Sequence, residues 1–342
     1  MATALSTILP KADHHTDSPE SRLKEKALTL YALPLFDLLW QAQNVHRQHH
    51  EGQHVQRCSL LSIKTGSCPE DCSYCPQSAH YKTGLDKQGL IPLDDVKAAA
   101  QKAKNEGAER FCMGAAWRQV KDGKEFDQVL EMVKIVKNLG MEACATLGMI
   151  TTEQAKKLKD AGLDAYNHNL DTSREYYSNI ITTRDYDDRL NTLKAAREAG
   201  ITLCSGGIIG MGESIEDRCG MLATLAALEP QPESVPINLL IPVEGTPLAD
   251  SPPVPVMELV RLIAVARLLL PQSRVRLSAG RINLSDEAQI LAFLAGANSI
   301  FLGDKLLTRP NPDHSSDESL LSLLEAIPLE SLKKSDAATA TN

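Results

Sequence analysis

FDQVLEMVKIVKNLGMEACATL, residues 126–147, reads as a helix, a stop and a strand. Phe126, Val129, Leu130, Val133 and Val136 recur at the three- and four-residue spacing that lines up one helical face. Gly140 follows, and glycine ends helices because it enters the left-handed conformation without a Cβ penalty. Glu142–Leu147 is then a short β-type run. A helix that feeds directly into a strand is the repeating unit of a parallel α/β sheet.

The same unit recurs outward along the chain. Gly107, Gly162, Gly200 and Gly296 each close an amphipathic segment and precede a short strand pattern. Helix starts are legible as well: Thr151 with Gln154 spells a capping box, and Ser214 and Ser285 are good N-caps. Candidate strands lie at Leu60–Lys64, Arg110–Gly114, Glu142–Leu147, Asp164–Asn167, Thr202–Ser205, Val235–Leu239, Val275–Ser278 and Ser299–Leu302. Eight strands alternating with helices predict an α/β fold of the (β/α)8 TIM type, with no break into the halves of a doubly wound sheet. The expected division is an N-terminal, partly helical extension over 1–54 with a helix entry at Pro34, the barrel over 55–315, and a C-terminal helix and tail over 316–342. The tail from Ser331, rich in Ser, Thr, Ala and Lys, is expected to be frayed.

Composition bounds the function. The 342 residues are 43% hydrophobic and 23% charged, the balance of an ordinary globular protein rather than a disordered one. A net charge of −8 argues against a nucleic-acid partner, which favours basic surfaces. The most apolar stretch, Leu259–Leu270, is interrupted by Arg261 and Arg267 and is too short for a membrane span. The polar N-terminal residues lack the apolar core of a secretion signal, so a cytoplasmic location is expected. In a reducing compartment, eight cysteines are not a natural disulfide set.

Three of them form Cys68-x3-Cys72-x2-Cys75, in a loop directly after the first strand. Thiolates this close grip a soft metal or an iron–sulfur cluster. Three ligands on a four-iron cluster leave one iron open for substrate chemistry. A structural zinc site would want a fourth ligand, and only His80 stands nearby. The loop also leaves the C-terminal end of a barrel strand, where barrel active sites are built.

The motif, with Tyr74 before its last cysteine, resembles the signature of the radical S-adenosylmethionine enzymes. The surrounding Ser62-Ile63-Lys64-Thr65-Gly66 and Cys75-Pro76-Gln77-Ser78 narrow the resemblance to the biotin synthase family, over about Leu35 to Asn311. It implies a [4Fe–4S] cluster on Cys68, Cys72 and Cys75 that chelates S-adenosylmethionine and yields a 5′-deoxyadenosyl radical. The implied activity is a sulfurtransferase reaction, the insertion of sulfur into dethiobiotin to form biotin, the last step of biotin biosynthesis. Reduced flavodoxin or ferredoxin as electron donor and a homodimer are implied in the same way. A related radical enzyme of the hydrogenase-maturation type would share the loop cysteines, and a non-catalytic zinc or iron–sulfur protein is the alternative from another class.

Cys112, Cys144 and Cys204 lie within candidate strands. Each alone would read as core packing, since free cysteine is among the most buried residue types. Three on separate barrel strands shift the reading toward a second metal site. Arg276, also in a strand, needs a partner or a function there, an inward carboxylate being the plain alternative. The family resemblance implies that Cys112, Cys144, Cys204 and Arg276 hold a [2Fe–2S] cluster. Cys58, at the start of the first strand, is expected to be a packing residue, with an approach to the inner cluster as the alternative, and Cys219, in a helix, is expected to be core or surface filler.

Asn167, Asn169 and Asp171 alternate at the end of the fourth strand, where they form either a polar binding wall or an Asx-rich turn. The resemblance implies that Tyr74, Asn169, Asp171 and Arg189 contact S-adenosylmethionine, and that Asn167, Asn169 and Asn238 contact the substrate. For Arg189 an exposed helix charge is the alternative. The Gly-Gly-Glu that most superfamily members carry after the second strand is replaced by Gly114-Ala115-Ala116-Trp117, which shifts amino-group binding toward backbone groups. Ser205-Gly206-Gly207-Ile208-Ile209-Gly210 has the wrong spacing for a dinucleotide fingerprint and reads as close backbone approach. The pairs His14-His15 and His49-His50 fall outside the barrel pattern and read as surface residues.

Overall fold

A computed structural model describes residues 18–326. Two helices come first, α1 (Pro19–Tyr31) and α2 (Leu35–His49). The strands β1 (Gln56–Lys64), β2 (Arg110–Ala115), β3 (Glu142–Thr146) and β4 (Ala165–Asn167) then alternate with α3 (Leu93–Asn105), α4 (Lys124–Asn138) and α5 (Thr152–Asp160). After α6 (Tyr186–Glu198) come two short strands in succession, β5 (Thr202–Cys204) and β6 (Gly207–Ile209). The chain continues through α7 (Ile215–Ala227), β7 (Ser234–Leu239), α8 (Val256–Leu269), β8 (Arg274–Leu277), α9 (Asp286–Leu294) and β9 (Ser299–Leu302). A small hairpin, β10 (Lys305–Leu306) with β11 (Arg309–Pro310), leads into α10 (His314–Leu323).

All pairings in the large sheet are parallel, and its edges meet where Cys204 of β5 pairs with Ser234 of β7. β5 and β6 together occupy one barrel position, so the sheet closes as the eight-stranded TIM-type barrel expected from the sequence. Every expected strand has a counterpart; the interruption of the fifth and the hairpin after the last were not foreseen.

The interruption has a steric cause. At Ser205-Gly206 the chain presses against β7 so closely that a Cβ on Gly206 would lie 1.9 Å from the Pro236 carbonyl oxygen. A Cβ on Gly207 would meet the Met221 sulfur at 1.9 Å and the Asp171 carbonyl oxygen at 2.6 Å. This is the close approach anticipated for the glycine run. The Thr151–Gln154 capping box and the Ser214 and Ser285 caps also form, and the α4 face buries Phe126, Val129, Val133 and Val136, with Met132 in place of the half-buried Leu130.

The most apolar stretch of the sequence becomes α8, buried nearly all round because α2 covers the side that an outer barrel helix would turn to water. No helix among the described residues is long and apolar enough to cross a membrane. The two arginines that interrupt this stretch tie elements together. Arg261 donates to the carbonyls of Tyr31 and Leu33 at the turn between α1 and α2. Arg267, wholly buried, donates to the carbonyls of Gly296, Pro271 and Ser273.

Beside Arg267 stand two histidines. His46 is buried, and its ring stacks on that of His50, which contacts Pro271 and Arg267. His50 is thus part of a buried joint rather than a surface residue, while His49 is exposed. His14-His15 and the tail from Ser331 lie outside the described residues.

Two outcomes follow for stability. Gly206→Ala is expected to destabilise the barrel by about 3 kcal/mol, because a rigid carbonyl must move, and a urea denaturation series measures it. Burial, and then the charge of Arg267, lower the pKa of His46 from 6.5 to about 4 and of His50 to about 3. Below the ordinary histidine range the unfolded chain therefore binds protons that the folded chain refuses, so stability falls as pH drops from 6.5 toward 4. The urea midpoint of the wild type is expected to fall more over that interval than that of a His46→Leu variant.

Candidate active site

One cavity of about 330 Å3 opens at the C-terminal face of the barrel. It is bounded above by Cys68, Cys72 and Cys75 and below by Cys112, Cys144, Cys204 and Arg276. Asn167, Asn169, Asp171, Arg189 and Asn238 line the wall between, and Tyr74 joins them. All the side chains expected to bind cofactor or substrate thus meet in one space.

The upper thiols sit on the loop that leaves β1. Gly66 and Ser67 both have positive φ, of 76° and 56°, which turns the chain back over the barrel mouth. The loop is then fastened by its own carboxylates. Asp71 accepts from the backbone N–H of Thr182 at 2.9 Å and of Thr183 at 3.2 Å, and from both threonine hydroxyls. Burial opposes its charge, but these donors hold its pKa down at about 2. Glu70, almost fully buried, pairs with Arg118 and Arg184 and accepts from Thr183. Neither carboxylate was singled out in the sequence. The signal was there, because acidic residues between cluster-spaced cysteines must find donors once the loop is buried.

Burial pushes the Cys72 and Cys75 thiols up to about 11 and about 12 and raises that of Cys68. Converting all three to thiolates needs a positive centre among them, which fits an iron–sulfur cluster. Among the described residues no three His, Cys, Asp or Glu side chains are arranged to hold a single metal ion.

The lower thiols come from three strands, with Cys204 two residues further along the ladder than Cys112 and Cys144. Cys112 of β2 is paired with Cys144 of β3, and Cys204 of β5 with Asn167 of β4. Cys112 and Cys204 are held below the ordinary thiol range by hydrogen bonding with Cys144, against burial, and the charges of Arg276 and Arg110 add to the effect. Arg276 is 1% exposed, and among the described residues no carboxylate pairs with it. Its guanidinium donates instead to Ser299 Oγ at 2.9 Å, to Cys58 Sγ at 3.2 Å, to Ser234 Oγ at 3.3 Å and to Cys204 Sγ at 3.7 Å, and it lies over the Phe301 ring. The ion pair considered for it is absent. Burial works against its charge, but the sulfurs of Cys58, Cys204 and Cys112 outweigh this and raise its pKa.

Cys219 is a packing residue, wholly buried in α7 within the main core. Cys58 is not merely one. It shares a separate buried cluster with Cys112 and Cys144 and touches Arg276.

On the wall, Asp171 has φ of 68°, accepts from the Tyr74 hydroxyl at 2.8 Å and pairs with Arg189. Arg189 also donates to the Tyr177 hydroxyl at 2.8 Å. It is buried, so the exposed-charge reading does not hold. Asn167 takes a hydrogen bond from Thr146 and donates to Asn169 at 3.2 Å and to Cys204. Asn238 bridges the Gly207 carbonyl and the Ala279 N–H. The roof was not foreseen: Leu306, Leu307 and Arg309 of the hairpin reach into the cavity, and the end of the Leu307 side chain packs against Gly114, where a Cβ would lie 2.6 Å from it.

Residues 62–225 match the family model of the radical SAM superfamily, and residues 236–326 that of the Biotin and Thiamin Synthesis associated domain. A biotin synthase of Cytophaga hutchinsonii is 59% identical over 92% of this chain and 93% of its own. One of Myxococcus xanthus is 61% identical over 88% of this chain and 87% of its own. The chain belongs to the biotin synthase family. Its barrel is also similar to that of methylornithine synthase, with a TM-score of 0.74 over 91% of this chain and 97% of that one at 21% identity. A FeFe-hydrogenase maturase from Carboxydothermus hydrogenoformans gives 0.71 over 89% of this chain and 77% of that one at 17% identity. These two show the shared fold alone, whereas family membership rests on the high identity to the biotin synthases.

Asp171→Ala would leave the buried Arg189 without its carboxylate. A loss of about 3 kcal/mol in stability is expected, measured by anaerobic denaturation. Asp171→Asn, which keeps an acceptor and tolerates positive φ, is expected to lose less.

Proposed function

We propose that the protein converts dethiobiotin to biotin by inserting sulfur between two unactivated carbons. The observation that carries this reading is the single cavity touching both sets of thiols, with a polar wall between them. When bound, a [4Fe–4S] cluster with S-adenosylmethionine supplies the 5′-deoxyadenosyl radical for each C–H abstraction, and a [2Fe–2S] cluster supplies the sulfur.

Cys68, Cys72 and Cys75 would hold the upper cluster through their three thiolates. Cys112, Cys144, Cys204 and Arg276 hold the lower one. Tyr74, Asn169, Asp171 and Arg189 bind the cosubstrate, with Asp171 fixing the Tyr74 and Arg189 side chains through its two bonds. Asn167, Asn169 and Asn238 bind the ureido ring of the substrate. The internal bonds of an amide leave it further donors and lone pairs, which suits a ring that presents both N–H and C=O groups. Trp117, Ile208, Phe301, Leu306 and Leu307 give the cavity an apolar lining that keeps water from the reacting carbons. Stacking cosubstrate, substrate and sulfur source along the barrel axis replaces encounter by placement.

The reading extends to a catalytic barrel over 55–315, preceded by the helical extension 1–54 and followed by the segment 316–342. It also includes a homodimer in the cytoplasm, reduced by flavodoxin or ferredoxin.

The test is anaerobic incubation with dethiobiotin, S-adenosylmethionine and a reductant, scored for biotin and for 5′-deoxyadenosine. Cys72→Ala is expected to abolish both products. Cys112→Ala is expected to abolish biotin while still releasing 5′-deoxyadenosine. Biotin formation at the wild-type rate by Cys112→Ala would overturn the assigned sulfur source.

A further inference from the structure

Cys58 is unlike a packing cysteine in what surrounds it. It is wholly buried, yet its sulfur faces polar groups: Arg276 Nη2 at 3.2 Å, Gln56 Oε1 at 3.5 Å and Ser299 Oγ at 3.7 Å. Strand parity puts it inside the barrel. It stands two residues before Leu60, which lines the cavity and is paired with Cys112. Its apolar neighbours form a small cluster of their own that contains Cys112 and Cys144, apart from the main core. The Arg276 guanidinium spans the fourth side, one nitrogen on Cys58 and another on Cys204. Two thiols therefore touch the guanidinium, Cys58 from the buried side and Cys204 from the cavity floor, with Cys112 and Cys144 beside them.

We propose that Cys58 is a fourth thiol ligand for the inner cluster, exchanging with Arg276 for one iron coordination position. The inference rests on the inner [2Fe–2S] cluster of the proposed function. The exchange balances without any added reagent: the iron–nitrogen bond to Arg276 breaks, the iron–sulfur bond to Cys58 forms, and the Cys58 thiol proton passes to the departing guanidine nitrogen. The chemistry of the donors favours it, since iron in such clusters is ordinarily held by thiolate. The geometry supplies the path, because the atom that enters and the group that leaves are already in contact.

The experiment compares the wild type with Arg276→Met, Cys58→Ser and the Cys58→Ser/Arg276→Met double variant, each full-length and reconstituted anaerobically. Iron and acid-labile sulfide are counted per chain, and the visible and resonance Raman spectra and the reduction potential of the inner cluster are recorded. Arg276→Met is expected to keep the inner iron and sulfide, with a spectrum moved toward that of a four-thiolate cluster and a lower potential. The double variant is expected to lose at least half of the inner iron while keeping the loop cluster, which serves as the control for folding. Cys58→Ser alone is expected to keep the wild-type iron content. Equal iron, spectrum and potential in Arg276→Met and the double variant would overturn the ligand role. A wild type whose iron and sulfide never exceed one [4Fe–4S] cluster would instead overturn the inner cluster, and with it the proposed sulfur source.

Discussion

The parallel ladder register sets what the inside of this barrel contains. In a closed sheet of this size alternate residues of every strand point inward, and neighbouring strands must supply side chains that fit at one level. Pairing Cys112 with Cys144, Asn167 with Cys204 and Arg276 with Ser299 places sulfur, amide, guanidinium and hydroxyl where branched aliphatics would ordinarily pack. A one-residue slip in β2 or β3 would turn a thiol out toward the helices. The close approach of Gly206 to β7 serves the same end, since it lets β5 and β6 share one barrel position and keeps Cys204 in register.

Much of this was legible because it depends on local signals. Gly140 after the α4 face, the Thr151 capping box and the strand runs need only their own neighbourhood to be read. The loop motif was legible for the same reason, as three cysteines within eight residues carry their chemistry in their spacing. The place of Cys58 between packing and the inner cluster is not legible in the sequence because its neighbour Arg276 stands 218 positions away. The hairpin roof was missed on similar grounds. Leu307 reads as a loop residue until the fold lays it against Gly114 of β2. His50 needed α2 to be packed on α8 before it could be recognised as half-buried against Arg267. For Cys112, Cys144, Cys204 and Arg276, the sequence pointed to inner strand positions, whereas their joint role as a ligand set came from family resemblance.

The two thiol sets are built on different principles. The loop set relies on carboxylates that fix the backbone: Asp71 and Glu70 collect donors from Thr182, Thr183, Arg118 and Arg184, and the cysteines on either side of them follow. Its thiols are raised by burial, so charge enters with the metal. The inner set relies on the sheet for position and on arginines for charge. Cys112 and Cys204 are lowered through Cys144 and then through Arg276 and Arg110, so here positive charge stands beside the sulfurs before any metal binds.

That difference bears on why an arginine stands among the inner thiols at all. A guanidinium with no carboxylate partner is costly to bury. Here the cost is offset by hydroxyl, amide and sulfur acceptors and by the Phe301 ring. The sulfurs of Cys58, Cys204 and Cys112 are the groups that favour its charge. On the proposed function, a ligand set that can trade nitrogen for sulfur would suit a cluster that gives its sulfur away. Permanence would be better served by a carboxylate beside Arg276 or a leucine at position 58. Instead Cys58 is in contact with Arg276, where the protein needs a sulfur source that can yield.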